Sequence, residues 1–204
     1  MNHGERGITG RQVWQKLMEG NFRFVQGLFQ GRNLMDLRRT LTLGQQPEAA
    51  ILCCSDSRVP AEIIFDQSLG DLFVVRTAGL VLDPTSIGSL EYAVAHLHVP
   101  LLVIKGHECC GAVTAAVEHP EAAHDHIVAI VEQIAPAVAQ ARQNGNHGED
   151  LVEAATDLHL KLLEATLLRI SPVIRKAVDA GRLEVMVAKY YLHAGQVQPL
   201  ASTF

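Results

Sequence analysis

The sequence lacks the features of a nucleic-acid-binding, exported or membrane-spanning protein. Its 17 basic and 22 acidic residues give a formal charge of −5, so it offers no positive surface for a nucleic-acid backbone. No uninterrupted apolar run approaches the ~20 residues that a membrane span needs. The start, MNHGERGITGRQ, is polar and has no signal-peptide core. We therefore expect a cytoplasmic protein with neither a membrane nor a nucleic-acid partner.

Cysteine is scarce as well, with four residues among 204. These cysteines stand as two adjacent pairs, one in LCCSDSR and one in GHECCGAV. Adjacent residues rarely bridge and no export signal accompanies them, which disfavours a disulfide framework. The pairs favour reduced sulfurs that bind metal.

Short apolar runs after residue 49 predict an α/β fold. These runs are bounded by glycine, proline or aspartate, as buried strands are, and hydrophobic residues make up 48% of the chain. They read AAILCC, DLFVV, PLLVIKG and LEVMVAKYYL. Helical segments lie between them, so we predict a single domain with a mainly parallel central sheet flanked by helices.

The predicted domain has three parts. Residues 1–44 form an N-terminal helical arm, residues 45–120 form the core that carries the cysteines, and residues 121–204 form helices and a C-terminal edge strand. LEVMVAKYYL is the last predicted strand and is followed by the turn HAGQ. The predicted helices cover residues 11–31 (as one helix or two), 35–43, 61–67, 86–97, 112–117, 124–144 and 149–180, the last perturbed at Ser171 and Pro172.

The cysteine pairs follow predicted strands, where open α/β sheets tend to place their sites. In GHECC, His107 and Cys110 would share one face of a helical turn, whereas Cys109 would point away. Zinc takes three protein ligands in catalytic sites and four in structural ones, so a further ligand is needed from CCSDSR. Cys53 and Cys54 face opposite sides of a strand and either could serve. Cys54 is favoured because it lies nearer the strand end.

Three motifs in this order, CSDSRVPAE, FVVRTAG and GHECCGAV, resemble those of the β-class carbonic anhydrases. The resemblance implies one zinc ion per subunit, bound by Cys54, His107 and Cys110. It implies a dyad of Asp56 and Arg58, in which Asp56 either pairs with Arg58 or moves onto the metal. It also implies reversible hydration of carbon dioxide to bicarbonate and a proton by zinc-bound hydroxide.

The resemblance extends to the substrate cleft and to assembly. Gln45, Phe73 and Tyr92 fall where the family places residues that line the cleft near the subunit interface. Gly111, directly after the last ligand, is a fourth expected substrate contact. Because the family builds its clefts between subunits, with N-terminal helices embracing a neighbour, we expect a homodimer or homotetramer.

Other interpretations of the same residues stay open. The cysteines and histidine could form a structural zinc site, or be buried thiols beside a capping histidine, and the aspartate and arginine could be an ordinary ion pair. The same scaffold could hydrolyse carbonyl sulfide or carbon disulfide. It could also be a non-catalytic, zinc-stabilised bicarbonate sensor or scaffold.

The sequence assigns no chemical role to the other two cysteines, to Arg76 or to the other histidines. Cys53 and Cys109 are most simply small buried hydrophobes. Arg76, in VVRTAG, is a buried ion-pair partner or a subunit contact. The sequence does not identify the proton shuttle, and any of His124, His126 and His159 could be an exposed bystander.

Overall fold

The protein is built on a five-stranded, mainly parallel sheet, as seen in a computed structural model that describes residues 7–119 and 124–200. The strands are β1 (Ala49–Cys54), β2 (Leu72–Thr77), β3 (Leu101–His107), β4 (Glu184–Tyr191) and β5 (Gln196–Pro199). Their order is β2-β1-β3-β4-β5. All pairings are parallel except that of β4 with β5. The predicted α/β class is confirmed.

Eight α-helices accompany the sheet within the described ranges. They are α1 (Gly10–Gln26), α2 (Leu34–Thr40), α3 (Ala61–Ile64), α4 (Pro84–Ala95), α5 (Gly111–Glu118), α6 (Val128–Gln143), α7 (Gly148–Ile170) and α8 (Pro172–Asp179). In residues 7–119 and 124–200, none of the helices combines the length and apolar character of a transmembrane span. The cytoplasmic location stays a prediction.

Strands β1 and β3 form the centre of the core, and every residue in them is buried. Helices cover both faces of such a parallel sheet, which is why these strands read as continuous apolar runs in the sequence. Lys105 of β3 is the exception to that run, because it is charged yet fully buried. The central strands therefore carry the core and, at their carboxyl ends, the cysteine and histidine motifs.

The C-terminal third differs from its prediction in two places. The edge of the sheet is β5, a four-residue antiparallel strand whose short QVQP sequence gives almost no alternation to recognise, and not LEVMVAKYYL. Residues 149–180 form two helices, because Ser171 adopts an extended conformation and Pro172 begins α8. The Ser171 hydroxyl caps α8 by accepting a hydrogen bond from the Ile174 amide at 3.2 Å.

The N-terminal arm has one half that packs on its own domain and one that does not. Helix α1 lies on the sheet, and its Asn21 side chain bonds the Ile64 and Gly195 carbonyls at 3.2 and 2.9 Å. A Cβ at Gly20 would sit 1.8 Å from the Phe65 oxygen, so glycine is required for this close packing. Helix α2, by contrast, has no buried residue. The second half of the arm is thus free to cover another surface.

Glu164 of α7 gives a test of the packing. Its side chain is 5% exposed, its Oε2 atom has no hydrogen-bond partner among the described residues, and burial raises its pKa. An acid with a raised folded-state pKa destabilises the fold as pH rises from the unfolded pKa through the folded one. We expect Glu164→Gln to raise the unfolding free energy by about 1 kcal/mol, or Tm by about 2–4 °C, at about pH 8.

Near about pH 4.5, where unfolded glutamate is half protonated, the gain should shrink toward zero. Differential scanning calorimetry of both proteins at the two pH values measures it. The exposed Glu132→Gln serves as the control and should change neither transition. A gain from Glu164→Gln that does not depend on pH would contradict the assignment of Glu164 as a buried, unpaired acid.

Candidate metal centre

A cluster of two cysteines and one histidine lies at the carboxyl edge of the sheet. Cys54 ends β1, His107 ends β3 beside it, and Cys110 caps the start of α5. All three are buried, and their sulfur and nitrogen ligand atoms lie within 4.8 Å of one another. These three residues could therefore hold one metal ion.

The imidazole of His107 is oriented for metal binding. Its Nδ1 atom lies 2.8 Å from the Glu108 carbonyl oxygen, so Nδ1 carries the proton and donates it to that oxygen. The lone pair is then on Nε2, which is buried and has no hydrogen-bond partner among the described residues. A buried unpaired nitrogen is costly, and a metal ion would satisfy it. The donor set thus fits a metal.

The two cysteine sulfurs of the cluster shift each other's pKa in opposite directions. A hydrogen bond from Cys110 is the main cause that lowers the pKa of Cys54 to about 4. The same hydrogen bond, followed by burial, raises the pKa of Cys110. Because a metal binds cysteine as thiolate, binding at this pair would release the proton that Cys110 retains most strongly.

The structure places the two cysteines of each pair in different surroundings. In the second pair the cause is not the predicted helical turn that starts at His107. Residues 107–110 are not a helical turn: His107 belongs to a strand and Cys109 has a left-handed backbone, with φ 51°. Cys53 is fully buried in the core, as expected. Cys109 is exposed, so the prediction that it is a buried hydrophobe is wrong.

Asp56 and Arg58 form a two-pronged ion pair beside the cluster. Arg58 donates from Nε to Oδ1 of Asp56 at 2.9 Å and from Nη2 to Oδ2 at 2.7 Å. These hydrogen bonds are the main cause that lowers the pKa of Asp56 to about 2. The Oδ2 atom lies 4.0 Å from Nε2 of His107. In the structure, Asp56 is therefore ionised, paired with Arg58 and adjacent to the cluster.

The loop that carries Asp56 and Arg58 is held by two basic residues for which the sequence predicted no chemical role. Arg76 donates from Nε to the Cys54 carbonyl at 2.9 Å and from Nη2 to the Asp56 carbonyl at 2.6 Å. Arg76 is thus not the buried ion-pair partner that the sequence suggested, and its hydrogen bonds hold the backbone of this loop. Lys105 donates to the Val59 carbonyl at 3.2 Å, and burial lowers its pKa to about 8. The sequence did contain a signal for Lys105, because it is the one charged residue in the apolar run PLLVIKG.

Three of the predicted cleft residues lie far from the cluster of their own chain. Phe73 is in register with Ala50, four residues before Cys54, or about 13 Å away along the strand. Tyr92 packs on Phe73, with ring centres 6.2 Å apart. Gln45 precedes β1, at the same amino end of the sheet. None of these residues is brought to the cluster within one chain.

Gly111 does lie at the cluster, as the first residue of α5. A Cβ atom there would meet no atom within 4 Å, so the space in front of it is open. Of the histidines treated as bystanders, His124 and His126 are exposed. His159 is buried instead, and its Nε2 lies 2.9 Å from the Gly79 carbonyl oxygen, which corrects its assignment. It braces the turn after β2.

Comparisons with known proteins agree with this architecture. The sequence matches the carbonic anhydrase family over residues 49–197. It is 43% identical over 188 residues to carbonic anhydrase 2 of Mycobacterium tuberculosis, covering 90% of this chain and 89% of the relative. The structure resembles the β-carbonic anhydrase CafA of Aspergillus fumigatus, with a TM-score of 0.77, 26% identity, and 95% and 91% of the two chains covered. Tetrameric β-carbonic anhydrases of Sordaria macrospora give a TM-score of 0.75 at 26% identity, with 82% and 87% covered.

Fold and site together define an α/β protein that can hold a metal ion at the carboxyl edge of a parallel sheet. With the sequence match over most of its length, the chain belongs to the carbonic anhydrase family, and within it to the β class of enzymes. The resemblance inferred from the three motifs is confirmed.

The paired cysteines allow a matched test of the metal centre. We expect purified protein to bind about one divalent metal ion per chain, and Cys54→Ser or Cys110→Ser to lose it because too few ligands remain. Cys53→Ala and Cys109→Ser are the controls and should keep it. Inductively coupled plasma mass spectrometry of dialysed protein measures the content. Retained metal in Cys110→Ser, or its loss in Cys109→Ser, would refute this ligand set.

Proposed function

We propose that the protein catalyses the reversible hydration of carbon dioxide to bicarbonate and a proton, with one zinc ion per subunit held by Cys54, His107 and Cys110. The observation that carries the proposal is the buried Nε2 of His107, which has no hydrogen-bond partner among the residues that the structure describes and lies with two sulfurs next to an ionised aspartate. Membership of the carbonic anhydrase family supports the choice of reaction.

The donor set suits zinc. Thiolate sulfur and neutral imidazole are ligands that Zn²⁺ prefers, and three protein ligands leave one position for water or substrate, as in catalytic sites. When bound, Zn²⁺ lowers the pKa of a water molecule, to about 7 in the carbonic anhydrase for which the value is established, and so supplies hydroxide near neutral pH.

Asp56 supplies orientation. Because Arg58 holds both of its oxygens and keeps it ionised, Asp56 can only accept hydrogen bonds. A water or hydroxide in the cleft must then direct its O–H to Asp56, which leaves its lone pair for the carbon of carbon dioxide. Arg76 fixes the backbone on either side of the aspartate's loop position. Asp56 and Arg58 are thus the proposed catalytic dyad.

The open space in front of Gly111 is the proposed approach for carbon dioxide. The substrate is small and linear, and a side chain at this position would project into the space that it needs. Gly111 therefore acts as a substrate contact through the absence of a side chain.

Stopped-flow measurement of carbon dioxide hydration tests the reaction. We expect zinc-loaded protein to be active between about pH 6.5 and 9 and Cys110→Ser to be inactive. In Asp56→Asn, kcat/KM should fall by a factor of about 10²–10⁴, because the amide can donate a hydrogen bond and misdirect the hydroxide. Cys109→Ser is the control and should stay active. Zinc-bound protein without hydration activity would instead favour a sulfur-substrate hydrolase or a bicarbonate sensor, which carbonyl sulfide turnover would separate.

We further propose that a second subunit completes each cleft. Gln45, Phe73 and Tyr92, the residues expected to line it, lie at the far end of their own sheet, and Tyr92 is 47% exposed. Helix α2 and the turn after it expose Leu34, Met35 and Leu43, with Leu43 96% exposed, as an arm that covers a neighbour would. A homodimer, or a tetramer made of dimers, satisfies both features, and the Sordaria relatives are tetrameric.

Mixed oligomers test the shared cleft. We expect Cys110→Ser and Gln45→Ala to be impaired separately, the first in metal binding and the second in the cleft. Co-expressed chains should form mixed dimers with one intact cleft, which restores about a quarter of wild-type activity by random assortment. Wild-type chain co-expressed with Cys110→Ser is the control for assembly. A mixture no more active than the average of the two variants would show that each cleft belongs to one chain.

A further inference from the structure

The backbone of Cys109, rather than its sulfur, is the distinctive feature of the segment between the two motif ligands. Its φ of 51° is uncommon for any residue other than glycine, asparagine or aspartate. Side chains from outside the segment bind both of its polar backbone groups. Glu153 Oε1 accepts its N–H at 2.9 Å, and Arg58 Nη2 donates to its carbonyl at 3.2 Å. An unusual conformation is thus held from two sides.

Glu153 is itself held by a buried lysine. Lys189 of β4 has a side chain only 3% exposed, and its ammonium lies 2.6 Å from Oε2 of Glu153 and 2.8 Å from Oδ1 of Asp157. Burial lowers the pKa of Lys189, but the hydrogen bonds that its ammonium donates to Asp157 and Glu153 outweigh burial, so the pKa is raised. One oxygen of Glu153 is therefore committed to Lys189, and the other is aimed at the Cys109 amide.

The contacts continue to the dyad. Arg58 has a half-exposed side chain, and its hydrogen bonds within the described residues go only to Asp56 and to the Cys109 carbonyl. Within the described part of the chain, the Cys109 carbonyl is thus the one hydrogen-bond acceptor other than Asp56 that holds the guanidinium. A path of direct contacts runs from Lys189 through Glu153 and the Cys109 peptide to Arg58.

We propose that Glu153 is a positioning residue for the dyad, acting through the Cys109 peptide to hold Arg58 in its fork with Asp56. The catalytic consequence rests on the proposed carbon dioxide hydration, whereas the contact itself does not. Glu153 never touches the substrate in this proposal. It sets the angle at which the carbonyl meets the guanidinium, and so the direction of the Asp56 carboxylate.

Asp157 provides the matched comparison. It lies four residues after Glu153 on α7 and shares the same lysine, but it does not contact the Cys109 peptide. If Glu153 only neutralises Lys189, Asp157→Asn and Glu153→Gln should behave alike, and Glu153→Leu should differ from them only in stability. If Glu153 positions the peptide, Glu153→Leu should differ in kind, because it alone removes the acceptor for the Cys109 amide.

Amide hydrogen exchange at Cys109, read by NMR on metal-loaded protein, tests the contact without an assay of activity. We expect Glu153→Leu to exchange the Cys109 amide at least about tenfold faster and to lose about 10–100-fold in kcat/KM, the range for groups that support a metal site's residues. Glu153→Gln keeps an acceptor oxygen and should retain both values. Asp157→Asn should leave them unchanged, and all variants should keep their metal.

Equal exchange of the Cys109 amide in Glu153→Leu and Asp157→Asn would overturn the proposal, as would normal kcat/KM in Glu153→Leu when the wild type is active. If the wild type does not hydrate carbon dioxide, the proposed function fails on its own. Fast exchange confined to Glu153→Leu, together with a shifted Arg58 Nε–H resonance, would then still support the positioning role.

Discussion

The parallel pairing of β1 with β3 is the constraint on which the site depends. It places the last residues of the two strands at the same edge of the sheet, so Cys54 and His107 become neighbours although they are 53 positions apart in the sequence. Because both strands are buried along their whole length, the cluster forms where a metal ligand is shielded from water. The candidate metal centre is thus a product of strand register, to which a single loop residue, Cys110, is added.

Helix α7 is the second element that shapes the site, and a glycine lets it approach. A Cβ atom at Gly106 would lie 2.5 Å from a methyl group of Leu160, so the helix packs directly on the strand that ends in His107. From this position the helix reaches both turns around the cluster. Its Glu153 bonds the Cys109 amide, and its His159 bonds the Gly79 carbonyl. The backbone around the cluster is therefore held by side chains and not by loop sequence alone.

The sequence was sufficient for features that depend on local pattern. Buried strands show as apolar runs, and the cysteine and histidine motifs follow them, so the sheet and the cluster could both be predicted. Strand β5 could not, since four residues give no usable period. Glu153 and Arg76 reach the site through contacts with residues 44 and 20 or more positions away, and neither has a local signal. Lys105 did have one, as a charge inside an apolar run.

The two cysteines of each pair differ in where the backbone directs their side chains and not in their chemistry. Along β1 successive side chains alternate between faces, so Cys54 faces the cluster and Cys53 lies in the core, in register with Lys105 and Arg76 of the neighbouring strands. After β3 the left-handed backbone at Cys109 leaves its side chain exposed, and Cys110, the N-cap residue of α5, has its sulfur buried. The same thiol group is thus a core residue, a turn residue or a candidate ligand according to backbone geometry. This is why spacing alone left Cys53 and Cys54 as alternatives, whereas the alternation of side chains along β1 distinguishes them.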